Sequence, residues 1–375
     1  MKKYLFITFL NFLLITSLQA NHDTFEYDFV YFKKFEVKGS QDHHKFKKDL
    51  ISDKIILEEI KDSKKSGLIS YLLFEDNKIK IDESALPIYI KENNGLLLSN
   101  SVGKSLVSYV TGHAICEGYI ENVDVVLDDW SILDGTIYEG QKLIDLLNMN
   151  AGDHKYIGMR NFSTDNMLEV IKNFELNVNT LPLGDILKME VIQDAKKSKK
   201  YFNYNALVTN IIMNYTIFKA GDDWQKLLNK VFNEHVKVKN NVYFHQTVVP
   251  SHDGTNASGR YSFYANRYDY LRIIKTMVDD WNNDTCVGKY LKIINKNSIK
   301  KKLKEYKPTI IDSYSKNYGG QFHLNFVGMK NRNIFGLSGY GGQQILIDMD
   351  KQKILIVHAT QSHYNWKKLV YEKIK

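Results

Sequence analysis

GLLLSNSVGKSLVSYVTGHAICEGYI, residues Gly95 to Ile120, is the stretch on which the fold turns. Its apolar run, Gly95 to Leu98, breaks at Ser99-Asn100-Ser101, as a strand breaks at a turn. Leu106, Val107, Val110, Ala114 and Ile115 then recur at helical spacing, and Gly118 is a natural stop. The reading is a strand, a turn and a long amphipathic helix. Ser101 sits at the mouth of that helix, and Lys104 lies one turn inside it.

That pair can carry chemistry. Residues three apart on a helix share a face, so Lys104 can reach the Ser101 hydroxyl. A serine is a poor nucleophile until a neighbour takes its proton. A lysine can take it only when neutral, which requires burial or a cationic neighbour. Free backbone N–H groups at a helix start also favour developing negative charge. The same S-x-x-K spacing recurs at Ser298–Lys301 and Ser313–Lys316, in charged and polar segments. Only Ser101 follows an apolar run and opens a long helix. The plain alternative is a cap serine beside a surface lysine.

Outward from this stretch, strands come from both ends of the chain. Gly67 to Phe74 is apolar, Asp76-Asn77 is a turn signal, and Ile79 and Ile81 alternate with charges beyond it. Near the other end, QFHLNFV, NIFGL, QQILIDM and KILIVHA are strand runs. The last two join through Asp350-Lys351-Gln352 and are apolar on both faces, as central strands are. Asp53 to Ser63, Asn166 to Phe174, Ala206 to Ala220 and His363 to Ile374 read as helices. The fold class is α+β: an antiparallel sheet built from both chain ends, flanked by helices, with an inserted, mostly helical lobe. The sheet lobe is expected over about 21–105 and 240–375, and the helical lobe over about 106–239.

Composition narrows the function classes. The chain has 375 residues and a formal net charge of +8. Its basic clusters, Lys196 to Lys200 and Lys300 to Lys304, carry no interleaved aromatics, so they read as solvated surface and no nucleic-acid partner is expected. Lys2-Lys3, an apolar run from Tyr4 to Ile15 and Ser17-Leu-Gln-Ala20 make residues 1–20 a signal peptide, ahead of a single domain over 21–375. The expectation is a periplasmic or secreted protein with no membrane span once the signal is removed. Cys116 and Cys286 either form one bond in an oxidising compartment or stay as buried thiols. No Cys/His cluster has metal-ligand spacing, and no cofactor is expected.

Two further elements join Ser101. Tyr204, in KKYFNYNALVTNIIMNY, ends a polar stretch before a helix and can relay a proton; Tyr201 is a rival. In FGLSGYGGQQILIDMD, Leu337, Ser338, Gly339 and Tyr340 lead into a strand, where glycines let a substrate approach the backbone. In order and spacing, SVGKSLVSYVTGHAICEGYIENVD, LIDLLNMNAGD, FNYNALVTNII and GLSGYGGQQILIDMDKQKILIV resemble the serine β-lactamase-like superfamily. Within it they are most similar to the class C β-lactamase-related esterases and 6-aminohexanoate-dimer hydrolases. The resemblance covers roughly residues 67–357.

The resemblance implies a serine hydrolase working through an acyl-enzyme on small ester or amide substrates. Ser101 would be the nucleophile, and Lys104 and Tyr204 would move protons. The backbone N–H groups of Ser101 and Tyr340 would hold the oxyanion, and Leu337, Ser338 and Gly339 would bind substrate. The resemblance also favours Tyr204 over Tyr201. The chain departs from the family pattern at Leu337, where Lys or His stands, at Ala206 in place of an asparagine, and at Lys199-Lys200 in place of Pro-Gly. Two other readings follow: a β-lactamase or penicillin-binding peptidase, and a catalytically silent binding protein of the same fold.

Overall fold

The computed structural model describes residues 33–62, 66–153, 181–188, 199–247, 257–301, 311–361 and 364–375. The expected signal peptide, the helix at Asn166 to Phe174, His363, and parts of the two basic clusters lie outside these residues.

Thirteen strands are described, in chain order: β1 Lys34–Val37, β2 Lys47–Lys48, β3 Leu68–Glu75, β4 Lys78–Ser84, β5 Leu96–Leu98, β6 Val242–Gln246, β7 Gly259–Asn266, β8 Ile299–Lys300, β9 Ser315–Gly319, β10 Phe322–Phe326, β11 Ile334–Gly339, β12 Gln343–Asp348 and β13 Lys353–Ala359. The helices that matter below are α1 Lys54–Lys61, α2 Val102–Cys116, α3 Leu143–Leu147, α4 Leu207–Ala220, α5 Arg267–Asn282 and α6 Cys286–Lys296. Nine strands form one sheet in the order β2-β4-β3-β13-β12-β11-β10-β9-β8. It is antiparallel apart from the short β2–β4 pair. The expected closure of the two chain ends is the β3–β13 pairing, with Leu73 opposite Leu355.

Local chemistry explains the hairpins. Asp76 and Asn77 both take positive φ, 52° and 58°, so β3 and β4 meet through a two-residue turn whose twist suits a hairpin. The central strands are buried on both faces because alternate residues enter different cores. Leu72, Phe74, Ile345, Ile347, Ile354 and Ile356 face the helical body. Tyr71, Leu73, Leu346, Leu355 and Val357 face a smaller layer made by α1 and the C-terminal segment. In that segment Trp366, Leu369, Val370 and Ile374 are buried as their spacing predicts, although Lys367–Tyr371 winds as a π-type turn.

A second sheet, β1-β6-β7-β5, was not expected. It supports the start of α2, because β5 leads into that helix and pairs with β7. The helix itself corrects the amphipathic reading: Val102 through Ala114 are buried all round. Its polar side chains bond within the core. Ser105 donates to the Gln321 carbonyl at 2.6 Å, Ser108 lies 2.8 Å from the Tyr290 hydroxyl, and Thr111 donates to the Val107 carbonyl at 2.9 Å. Small hydroxyls satisfied in this way let a mixed sequence form a central helix. Cys116 and Cys286 form a disulfide, tying the end of α2 to the start of α6. Among the described residues, no helix is long and apolar enough to cross a membrane.

Candidate active site

The mouth of α2 is built by three contacts. Ser99 donates its N–H to the Phe263 carbonyl and accepts the Phe263 N–H on its hydroxyl, both at 2.8 Å, which fixes the turn to β7. Asn100 takes φ 46°, a left-handed conformation that asparagine tolerates better than most residues. Its side-chain amide donates to the Tyr340 carbonyl at 2.8 Å, so the end of β11 is held one residue from Ser101. Gly103 is a close approach of backbones. A Cβ there would stand 2.0 Å from the Tyr261 carbonyl oxygen, so only glycine fits against β7.

Ser101 and Lys104 are not what a cap serine and a surface lysine would be. Ser101 is half-buried and its side chain makes no capping hydrogen bond. Lys104 is 1% exposed. Its Nζ lies 3.7 Å from the Tyr261 ring centroid and 5.2 Å from that of Tyr204, and donates to the Asn205 carbonyl at 3.3 Å. The amine is therefore enclosed between two aromatic rings and shut off from water. Tyr204 is half-buried, with His323 stacked at 6.4 Å and Tyr318 edge-on at 6.0 Å.

Sequence reasoning missed the frame behind Tyr204. Asp153, fully buried, accepts from Asn203 Nδ2 at 2.7 Å, Asn205 Nδ2 at 3.0 Å and the Tyr138 hydroxyl at 3.0 Å. Burial raises the Asp153 carboxyl above its ordinary range, against the lowering effect of the Asn203 and Tyr138 hydrogen bonds. Asn205 Oδ1 also accepts the Val208 N–H at 2.9 Å and so starts α4. The two asparagines flanking Tyr204 are thus held by one carboxylate. Asn203, the asparagine of the rival Tyr201-Phe202-Asn203 spacing, is committed to Asp153. The only sequence signal for this was an isolated aspartate after Ala151-Gly152.

The remaining site candidates lie on or after β11. Ser338 and Gly339 are half-buried, and a Cβ at Gly339 would stand 2.7 Å from the Ser99 carbonyl oxygen. The Tyr340 side chain is 53% exposed. Leu337 stands apart from the others: it is 1% exposed, opposite Ile345, with its side chain in the main core. Lys301, near Ser315 and 3.4 Å from His323 Nδ1, brings a cation into the neighbourhood of Tyr204.

No family model matches the chain, and no curated protein matches it. Solved structures do. A protein of Bacillus anthracis described as a 6-aminohexanoate-dimer hydrolase superposes with a TM-score of 0.66 at 14% identity, covering 94% of this chain and 92% of its own. A D-stereospecific amidohydrolase from Streptomyces superposes with a TM-score of 0.56 at 12% identity, covering 86% and 98%. A class C β-lactamase from Rhodobacter sphaeroides gives 0.54 at 13%, covering 85% and 97%. The fold is that of the serine β-lactamase-like superfamily.

Proposed function

We propose that this chain uses the β-lactamase-like fold as a serine hydrolase, cleaving esters or small amides through an acyl-enzyme. The observation that carries the proposal is the buried Lys104 one turn inside a helix whose first serine leaves its hydroxyl out of capping. A surface lysine beside a cap serine would have had no chemical use. Here Ser101 Oγ attacks the substrate carbonyl, and its proton passes to Lys104. The tetrahedral oxyanion is met by the backbone N–H groups of Ser101 and Tyr340. As the intermediate collapses, the proton held by Lys104 passes by way of Tyr204 to the leaving alcohol or amine. Water then releases the acid by the same route in reverse, which needs neither metal nor organic cofactor.

Leu337 does not narrow that substrate class, because its side chain lies in the main core. The disulfide supports placement of the protein in the periplasm or outside the cell. The test is labelling with a fluorophosphonate probe. Wild type is expected to take up one probe per chain and Ser101→Ala none. Equal uptake by the variant overturns the assignment.

A further inference from the structure

The far end of α2 holds a second constellation that the hydrolase reading does not use. His113 on α2, His235 at the end of the π-type turn Lys230–His235, and Asp280 on α5 present ligand atoms that all lie within 4.8 Å of one another. We propose that these three side chains form a binding site for a divalent transition metal of the zinc type.

Three observations support this. His113 is 6% exposed, yet its Nε2 has no hydrogen-bond partner. A buried ring nitrogen without a partner is costly, and a metal ion is the partner that a neutral imidazole lone pair takes best. Asp280 is held rigidly: Tyr109 donates to its Oδ2 at 2.6 Å and Thr285 to its Oδ1 at 2.9 Å. Ligating carboxylates are characteristically fixed by such outer hydrogen bonds. His235 lies with Nε2 at 3.0 and 3.1 Å from the two Asp280 oxygens, and its ring packs 5.1 Å from that of His113.

Two imidazoles, one carboxylate and a water would complete a tetrahedral zinc site. With bonds of about 2.0–2.2 Å, ligand atoms stand roughly 3.3 Å apart. The cluster reaches that by a small turn of His235, whose side chain is 38% exposed and opens the site to solvent. Lys230, the neighbouring cation, is paired with Glu117, which offsets its repulsion of the ion. The three ligands lie 122 and 45 residues apart along the chain, so their spacing reads as no motif.

The site would clamp α2, α5 and the Lys230–His235 turn beside the Cys116–Cys286 disulfide. It does not depend on Ser101 acting as a nucleophile. The experiment treats the full-length protein with a chelator, removes it, adds zinc chloride and measures bound metal and the thermal unfolding midpoint. Wild type is expected to retain one zinc per chain through gel filtration and to gain several degrees. His235→Ala, a change at a partly exposed position, is expected to weaken binding by more than the roughly 10–100-fold typical of losing an outer-shell partner. His113→Leu, which removes the unpartnered nitrogen, is expected to abolish the zinc response while the zinc-free protein stays folded. A wild type that retains no zinc, or variants with the same stoichiometry and midpoint shift as wild type, would overturn the proposal.

Discussion

One helix, α2, ends in two different ways. At its mouth the backbone passes through the left-handed Asn100, the first turn closes with short i to i+3 bonds, and the side chains turn toward β7 and β11. At its far end Tyr109 bonds Asp280, His113 packs against His235, and Cys116 is covalently fixed to Cys286. Between them every side chain from Val102 to Ala114 is buried. The difference teaches where each property resides. A fully buried helix offers solvent nothing along its length, so a substrate can meet it only where the backbone starts. Its rigidity is set where it is fastened.

The comparison breaks first, and with the largest effect, at Lys104 and Tyr204. Loss of a positioned proton-transfer group typically costs about 10²–10⁴ in rate. Lys104→Ala and Tyr204→Phe are expected to lower kcat by that much toward a p-nitrophenyl ester, with Tyr204→Phe leaving the unfolding midpoint close to wild type. If Tyr201→Phe were inactive and Tyr204→Phe active, the relay would belong to the other tyrosine.

At the fastened end the expected loss is of stability alone. Removing a native disulfide typically costs about 2–5 kcal/mol. Cys116→Ala/Cys286→Ala should lower the denaturant midpoint accordingly and leave kcat per folded molecule unchanged below the transition. A matching fall in kcat would show that the far end of α2 also sets the geometry of its mouth.

How much of this was legible follows from range along the chain. The Asp76-Asn77 hairpin, the paired strands around Asp350 to Gln352 and the helix-opening serine are local patterns, and they read correctly. The second sheet did not read, because β6 (VYFHQ) and β7 (GRYSFYAN) mix polar and apolar residues and draw their partners from β1 and β5, far back in the chain. Ser105 and Ser108 of α2 looked like a solvent face because their partners, the Gln321 carbonyl and the Tyr290 hydroxyl, are supplied only by the folded core. The cysteine pairing stayed open for the same reason: 170 residues separate the two sulfurs. Leu337 carried a substrate argument in the sequence, and the strand turns its side chain into the core instead.

A smaller effect is expected behind the mouth, at Asp153. Asp153→Asn sets an amide donor against the Asn203, Asn205 and Tyr138 donors. An unsatisfied buried polar group costs about 1–3 kcal/mol. The turn that presents Tyr204 and the Asn205 carbonyl to Lys104 should loosen, giving a several-fold fall in kcat. The pH profile tests the cause. Burial raises the Asp153 pKa, so the folded state binds this proton more tightly than the unfolded chain does. The resulting stability is fully present below the ordinary value of 3.8 and is lost as pH rises through the raised folded value. Wild type minus Asp153→Asn should therefore show a stability difference that falls with rising pH across that window. A flat difference would remove the carboxylate from the account.

The smallest effect separates the two ends by their glycines. Gly112 sits in the far half of α2, where a Cβ would stand 2.5 Å from Tyr290 Cδ1 and 2.8 Å from its Cε1. Alanine is favoured over glycine inside a helix by about 1 kcal/mol. Overpacking a filled core costs about 1–3 kcal/mol, so the sign depends on whether Tyr290 can retreat. Its ring is 3% exposed and its hydroxyl is tied to Ser108 at 2.8 Å, which resists retreat. Gly112→Ala should therefore destabilise by roughly 0–2 kcal/mol, read as a lowered denaturant midpoint, with kcat unchanged. A stabilised Gly112→Ala would mean that α2 and α6 slide apart without loss, and the far end would then be fastened by its disulfide and not by its packing.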